Sequence, residues 1–219
     1  MAGAVAESAG WANTLWHNHA AAEDEPWETG EAGTGRTLAD GYVYRYPLIQ
    51  FRVIDGQAAL FGIGEGVDHI KQWLAVAPPV ITMGPHTYPL LVMGMYEDLH
   101  PLRLTEQWHM YRLMDYVPFH TENYRRWRDA DNYSERIELL ENVLAGHLLG
   151  FCSAMDYRLP ARLEARLLLV REMRTVRVHG VAHLGFNLVY KTNLDLPAAM
   201  ALGKSIAFGY GLQMPVKGE

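Results

Sequence analysis

"LPARLEARLLLVREM" (159–173) and "RTVRVHGVAHLGFNLVYKTN" (174–193) are the runs whose reading decides the fold. Both are long and rich in apolar residues, the second in β-branched ones as well, so together they read as a β-hairpin. Upstream, "ENYRRWRDADNYSERIELLENVLAGHLLGFCSAM" (122–155) reads mostly as helix. In it Ile137, Leu140, Leu144, Leu148 and Phe151 recur in steps of three or four, which is one apolar stripe of a 3.6-residue period. Before that helix, "QWHMYRLMDYVPF" (107–119) predicts a strand. After the hairpin, "LDLPAAMALGKS" (194–205) predicts a short helix and "IAFGYGLQM" (206–214) a final strand. Strand, helix, strand, strand, helix, strand is the order of a ferredoxin-like split βαβ unit.

The first half carries a shorter version of that order. "YVYRYPLIQFRVI" (42–54) predicts a strand, "DGQ" (55–57) a turn and "AALFGIG" (58–64) a second strand, which is a hairpin signature. Val67, Ile70, Trp73 and Leu74 fall at helical spacing in "EGVDHIKQWL" (65–74), and "APP" (77–79) stops that helix. "TYPLLVMGMY" (87–96) reads as a buried strand. Residues 20–41 are polar, acidic and Gly-rich and read as a loop. The expected fold class is α+β, with tandem ferredoxin-like domains of the RRM type, the first lacking its opening strand. The domains are expected at 1–104 and 105–219, joined through "EDLHPLRL" (97–104).

Composition narrows the function classes. The chain of 219 residues is 49% hydrophobic and long enough to bury a sizeable core. A net charge of −6 argues in sum against a nucleic-acid partner, but the charges are segregated. Residues 23–31 hold five acids and no base, whereas Arg103 to Arg177 contains twelve arginines and no lysine. Arginine suits bidentate phosphate contacts and stacking on rings. The lone Cys152 rules out an internal disulfide and cannot nucleate a thiolate zinc site, which points to the reducing cytosol. No apolar run approaches the length of a spanning helix, and the N-terminus lacks the marks of a signal peptide, so a cytoplasmic chain with no membrane partner is expected.

Three motifs carry chemistry. "ALGKSIAFGYG" (201–211) contains the "GKS" that ends a P-loop, but that motif needs a glycine where Ala198 stands, with a strand before it and a helix after it. What remains is Gly203, Lys204, Ser205, Gly209 and Gly211, either an ordinary turn or a backbone cradle for phosphates. "ENYRRWRD" (122–129) interleaves Arg125, Arg126 and Arg128 with Tyr124 and Trp127. That pattern fits either an RNA backbone with its bases or a solvated helix whose Trp127 packs inward. His17 and His19 of "WHNH" (16–19) have no HExxH or CxxC for company, so no metal is expected. They read as an acid–base pair or as exposed loop histidines.

"LWHNH" (15–19) with "YRYPLIQFRVIDGQAALFGIGEGVDHI" (44–70), "VPFHTENYRRW" (117–127) and "VYKTNLDLPAAMALGKSIAFGYGLQ" (189–213) resembles, as an ordered set, the CRISPR-associated repeat-processing endoribonucleases. The family is the Cas-six family, and within it the b subtype. The resemblance implies RAMP-type tandem ferredoxin-like domains and a metal-independent endoribonuclease without cofactor. It implies cleavage of precursor CRISPR RNA within each repeat by attack of the ribose 2′-OH, leaving a 2′,3′-cyclic phosphate and a 5′-OH. The catalytic residues it implies are His17 and His19, with Tyr44 as the tyrosine and Tyr46 as the alternate. The Gly-rich loop at 202–211 is expected on the RNA backbone. A second reading from the same residues is a non-catalytic CRISPR repeat RNA-binding subunit, held with other Cas proteins in a Cascade-like complex. No sequence feature specifies a homodimer, and none forbids one.

Overall fold

The computed structural model describes residues 46–178 and 180–216, together with Val5, residues 36–37 and residues 43–44. It divides into two compact units, Met1–Leu99 and His100–Glu219.

In the first unit, β1 (Arg36–Thr37) pairs antiparallel with β2 (Val43–Tyr44), so a short ribbon closes the end of the expected 20–41 loop. The strand expected over 42–54 does not run through. Pro47, which has no N–H to give a ladder, lies in the irregular stretch before β3 (Ile49–Ile54). β3 pairs with β4 (Gln57–Gly62) across the two-residue turn Asp55-Gly56, both with positive φ (50° and 78°). That is the backbone hand a tight antiparallel hairpin demands. Helix α1 (Glu65–Val76) then lies close on the hairpin's entry: a Cβ at Gly66 would sit 2.4 Å from the Leu48 carbonyl oxygen. The core of this unit gathers Val5, Ile49, Phe51, Trp73 and Ile81.

A further hairpin follows, β5 (Val80–Met83) with β6 (His86–Pro89). The buried strand expected over 87–96 is corrected here. Only its first residues are strand, all of β6 is exposed, and Leu91, Met93 and Tyr96 are exposed beyond it. Pro89 ends the ladder, and hydropathy alone had suggested the burial.

The second unit holds β7 (Arg103–Tyr116), α2 (Thr121–Asp129), α3 (Tyr133–Ala154), β8 (Ala165–Val178), β9 (Val181–Asp195) and β10 (Leu212–Pro215). All pairings are antiparallel and the spatial order is β10-β7-β9-β8. Counted within the unit, that is the fourth strand, the first, the third and the second, the ferredoxin-like arrangement. The apolar stripe of α3 is inward: Leu140, Leu144, Leu148 and Phe151 are buried, as is Cys152, whose thiol burial pushes up to about 11. Glu141 ties the helix to the sheet by accepting the Leu167 N–H at 2.8 Å.

Two boundaries and one element differ from the sequence expectation. β8 runs on through residue 178 instead of ending at 173, and Val178 faces Val181 at the closed end of the hairpin. The expected final strand (206–214) opens instead as a 3-10 turn, Ile206–Phe208, before β10. The helix expected over 194–205 does not form. Leu194 and Asp195 finish β9, Pro197 follows, and Ala199 takes a left-handed φ of 63°. The N–H groups of Ala199 and Leu202 go instead to the carbonyls of Gln213 (2.9 Å) and Gly211 (2.9 Å). A folded-back loop against β10 uses the donors that a helix would have turned inward.

Candidate nucleic-acid interface

The glycine-rich loop, between β9 and β10, is pinned to the end of β7 and the residue after it. Val117 accepts the Lys204 N–H at 2.8 Å, and Asp115 accepts the Gly211 N–H at 3.0 Å. Between those anchors the chain needs positive φ at Gly203 (101°), Ser205 (58°), Gly209 (97°) and Gly211 (69°). Two of the glycines are also fixed by space. A Cβ at Gly203 would meet the Tyr116 ring and the Val117 carbonyl oxygen at 2.8 Å, and one at Gly211 would meet the Leu202 oxygen at 1.9 Å. Lys204 and Ser205 are half-buried, and Phe208 is exposed.

Packing of Gly203 on Tyr116 has a consequence that the sequence did not single out. The Tyr116 hydroxyl and His147 Nδ1 of α3 are joined by a 2.7 Å hydrogen bond, with the two rings edge to face. Burial, then His120 and then Lys204, push the His147 pKa down to about 4, so the imidazole is neutral at pH 7. Burial alone holds the Tyr116 hydroxyl well above its ordinary range. The loop therefore brings its one lysine beside a buried tyrosine and its half-buried histidine partner. A histidine within an apolar helical stripe was the available signal, and it looks like any core histidine until β7 is placed against α3.

Helix α2 presents the basic motif. His120 caps its N-terminus, accepting the Asn123 N–H at 3.5 Å. Arg125, Arg126 and Arg128 are exposed, and Tyr124 is 43% exposed. Arg128 is held by its neighbour Asp129 through two hydrogen bonds, at 2.7 and 3.0 Å. Arg125 and Arg126 have no hydrogen bond or ion pair among the described residues. Trp127 turns in, against Phe119 and Phe186 at ring separations of 5.9 Å, and Arg136 lies over it at 5.1 Å. The tryptophan thus packs inward, as the solvated-helix reading expects, and the arginines face water.

Of the residues expected to do chemistry, only the tyrosines fall among the described residues. His17 and His19 lie outside the described residues. Tyr44 is in β2, with its backbone opposite Arg36. Tyr46, the alternate, is half-buried and close enough to raise the pKa of Arg52, although burial is the larger effect and lowers it to about 10. Arg52 is almost wholly buried, donates to the Phe51 carbonyl at 3.1 Å and pairs with Gln50. In sequence it looks like an ordinary strand residue, and nothing local marks it as buried. Among the described residues no three His, Cys, Asp or Glu side chains gather as a metal site, and no helix is long and apolar enough to cross a membrane.

Fold and surface together define a protein of two ferredoxin-like domains in tandem, with a basic helix and a glycine-rich loop on the second. The Cas6b N-terminal domain matches residues 36–100 and the Cas6b C-terminal domain matches residues 103–216, so the chain belongs to the Cas6b family. It is similar to a crystal structure of Cas6b, with a TM-score of 0.81, 20% identity, and coverage of 98% of this chain and 89% of the other. A structure described as the CRISPR RNA processing endoribonuclease Cas6b aligns with a TM-score of 0.66 at 20% identity, over 78% of this chain and 83% of its own. At those identities the likeness speaks for the fold. In sequence, the chain is 26% identical over 118 residues to the uncharacterized protein MJ0978 of Methanocaldococcus jannaschii, spanning 54% of this chain and 74% of that protein.

Proposed function

We propose that this chain is an endoribonuclease that processes precursor CRISPR RNA, cutting within each repeat. The observation that carries the proposal is the pair of Cas6b domain matches, in order, along one chain. In this reading the cut is a transesterification without metal or cofactor. The ribose 2′-OH attacks the adjacent phosphate and forms the 2′,3′-cyclic phosphate, and the 5′-oxygen leaves with a proton. His17 and His19 share the two proton transfers, one accepting from the 2′-OH and one donating to the 5′-oxygen. Tyr44, or Tyr46 in its place, hydrogen-bonds the charge that develops on the phosphate.

The second domain supplies binding. Arg125 and Arg126 face solvent on α2 as donors for RNA phosphates. Gly203 and Gly211 shape the loop, and the left-handed turn at Gly209 permits close approach of an RNA backbone, with Lys204 adding charge. The cytoplasm is the expected site of action, with the other subunits of an interference complex as partners for the processed RNA.

Incubation of the chain with its repeat RNA in EDTA tests the reading. One site-specific cut is expected, with a cyclic phosphate on the upstream fragment and no cut when the scissile nucleotide lacks its 2′-OH. Cleavage of that deoxy substrate would rule out the mechanism. Tight repeat binding without any product, unchanged by His17→Ala with His19→Ala, would leave the RNA-binding subunit instead.

A further inference from the structure

We propose that a cavity between α2, the start of α3 and β8 is a seat for one unpaired nucleobase of the bound RNA. The inference rests on the RNA-binding reading above and adds a site whose lining includes no residue of the histidine pair or of the glycine-rich loop. The cavity measures about 150 Å³ and is lined by Trp127, Tyr133, Arg136, Arg171, Glu172 and Phe186, among others. That volume suits a single flat ring system.

The lining has the composition that single-stranded bases select. Aromatic rings and guanidinium planes take the π-face of a base, and such stacking tolerates any base. Tyr133 is 67% exposed at the head of α3, where a core aromatic would be covered. Arg136 lies over Trp127 as a cation–π pair, its guanidinium carbon 5.1 Å from the ring centroid. Its Nε is shielded from solvent and has no hydrogen-bond partner among the described residues. A buried guanidinium nitrogen with an unspent donor is costly unless an acceptor arrives. The exposed Arg171 offers further donors, with no ion pair among the described residues, while Glu172 is engaged by Asn187 at 2.6 Å. Two arginines against one carboxylate leave the rim positive, as a polyanion requires. Trp127 belongs to the same helix as Arg125 and Arg126, which puts both arginines within one turn of the cavity along the helix axis.

The test uses repeat RNA carrying 2-aminopurine at each unpaired position in turn, titrated with the full chain and with Tyr133→Ala. One position is expected to lose fluorescence on binding, and Tyr133→Ala is expected to restore it. Removing the base at that position should weaken binding by about 5- to 100-fold, the range of one stacked base. The same removal should cost little further in Tyr133→Ala, because both changes delete one interaction. Arg171→Ala, another exposed residue of the lining, repeats the cycle should the tyrosine variant melt early. Additive effects in both cycles, or no responsive position, overturn the base seat and leave RNA binding standing. Failure of the unaltered chain to bind repeat RNA at low salt overturns both.

Discussion

In α2, Arg125 and Arg126 stand in solvent with no partner among the described residues, whereas in the glycine-rich loop Gly203 and Gly211 are walled in by Tyr116, Val117 and Leu202. One segment offers charge on a scaffold that does not depend on it. The other offers backbone shape that the fold cannot do without. The difference teaches that a motif read for binding can be surface chemistry or architecture, and that substitution separates the two. Gly211→Ala should give the largest effect. Its Cβ would lie 1.9 Å from a backbone oxygen, at a φ of 69° that L residues rarely adopt. A loss of at least about 3 kcal/mol is expected from clash and strain together. Urea unfolding checks it, and a midpoint near that of the parent chain would show that the loop is decoration.

The same loop predicts a pH dependence through His147. In the folded protein its pKa is about 4, whereas an unfolded chain has it near 6.5. Above pH 6.5 both states hold it neutral and it contributes nothing. As the pH falls from 6.5 towards 4 the unfolded state takes up the proton first, so native stability drops, and below 4 the loss is complete. The drop is at most about 3 kcal/mol, from the size of the shift. His147→Gln, which can still hydrogen-bond the Tyr116 hydroxyl, should flatten stability between pH 6.5 and 4. An equal pH slope in both proteins would mean that this ring is not the titrating group.

How legible this was depends on what each residue does locally. The stripe Ile137 to Phe151 announced α3 because a helical period needs no tertiary knowledge. Asp55-Gly56 announced the first hairpin because its turn demands positive φ. The segment 194–205 misled, since its apolar and helix-forming residues satisfy their backbone through β10, far along the chain. Residues 87–96 misled in the opposite sense: apolar runs imply burial only when something covers them. At the candidate site, the arginines and glycines were visible as types, and their division into exposed charge and packed architecture was not. Tyr116 with His147, and Arg136 over Trp127, are pairs separated by 31 and 9 positions, which only the folded sheet and helices bring together.

A smaller effect tests the helical side of the comparison. Asn132 caps α3 by accepting the Glu135 N–H at 3.0 Å, while the Glu135 carboxylate returns to Asn132 Nδ2 at 2.8 Å and to the Asp131 N–H at 3.1 Å. Asn132→Ala should cost about 1 kcal/mol, as loss of an N-cap does. Thermal melts that move α2 and α3 apart in that variant would show that α2 leans on this cap, and its independence as a charged scaffold would fail.

The arginines of α2 should affect stability least and RNA most. Replacing Arg125, Arg126 and Arg128 together by Ala is expected to leave the unfolding midpoint where it was, because none of the three supports the core. Binding to repeat RNA should weaken, and the slope of log affinity against log salt should fall by about 0.7 for each phosphate that is no longer neutralised. The three are not equal. Arg128 already answers to Asp129, so an RNA phosphate must compete with a carboxylate for it, whereas Arg125 feels Asp129 only through space and Arg126 makes no hydrogen bond or ion pair among the described residues. Single substitutions should therefore lower the slope more at Arg125 and Arg126 than at Arg128. Removing the carboxylate with Asp129→Asn should bring Arg128 level with the others. Equal slopes throughout the series would return α2 to a solvated surface and leave the glycine-rich loop as the sole RNA-facing surface read from the sequence of this domain.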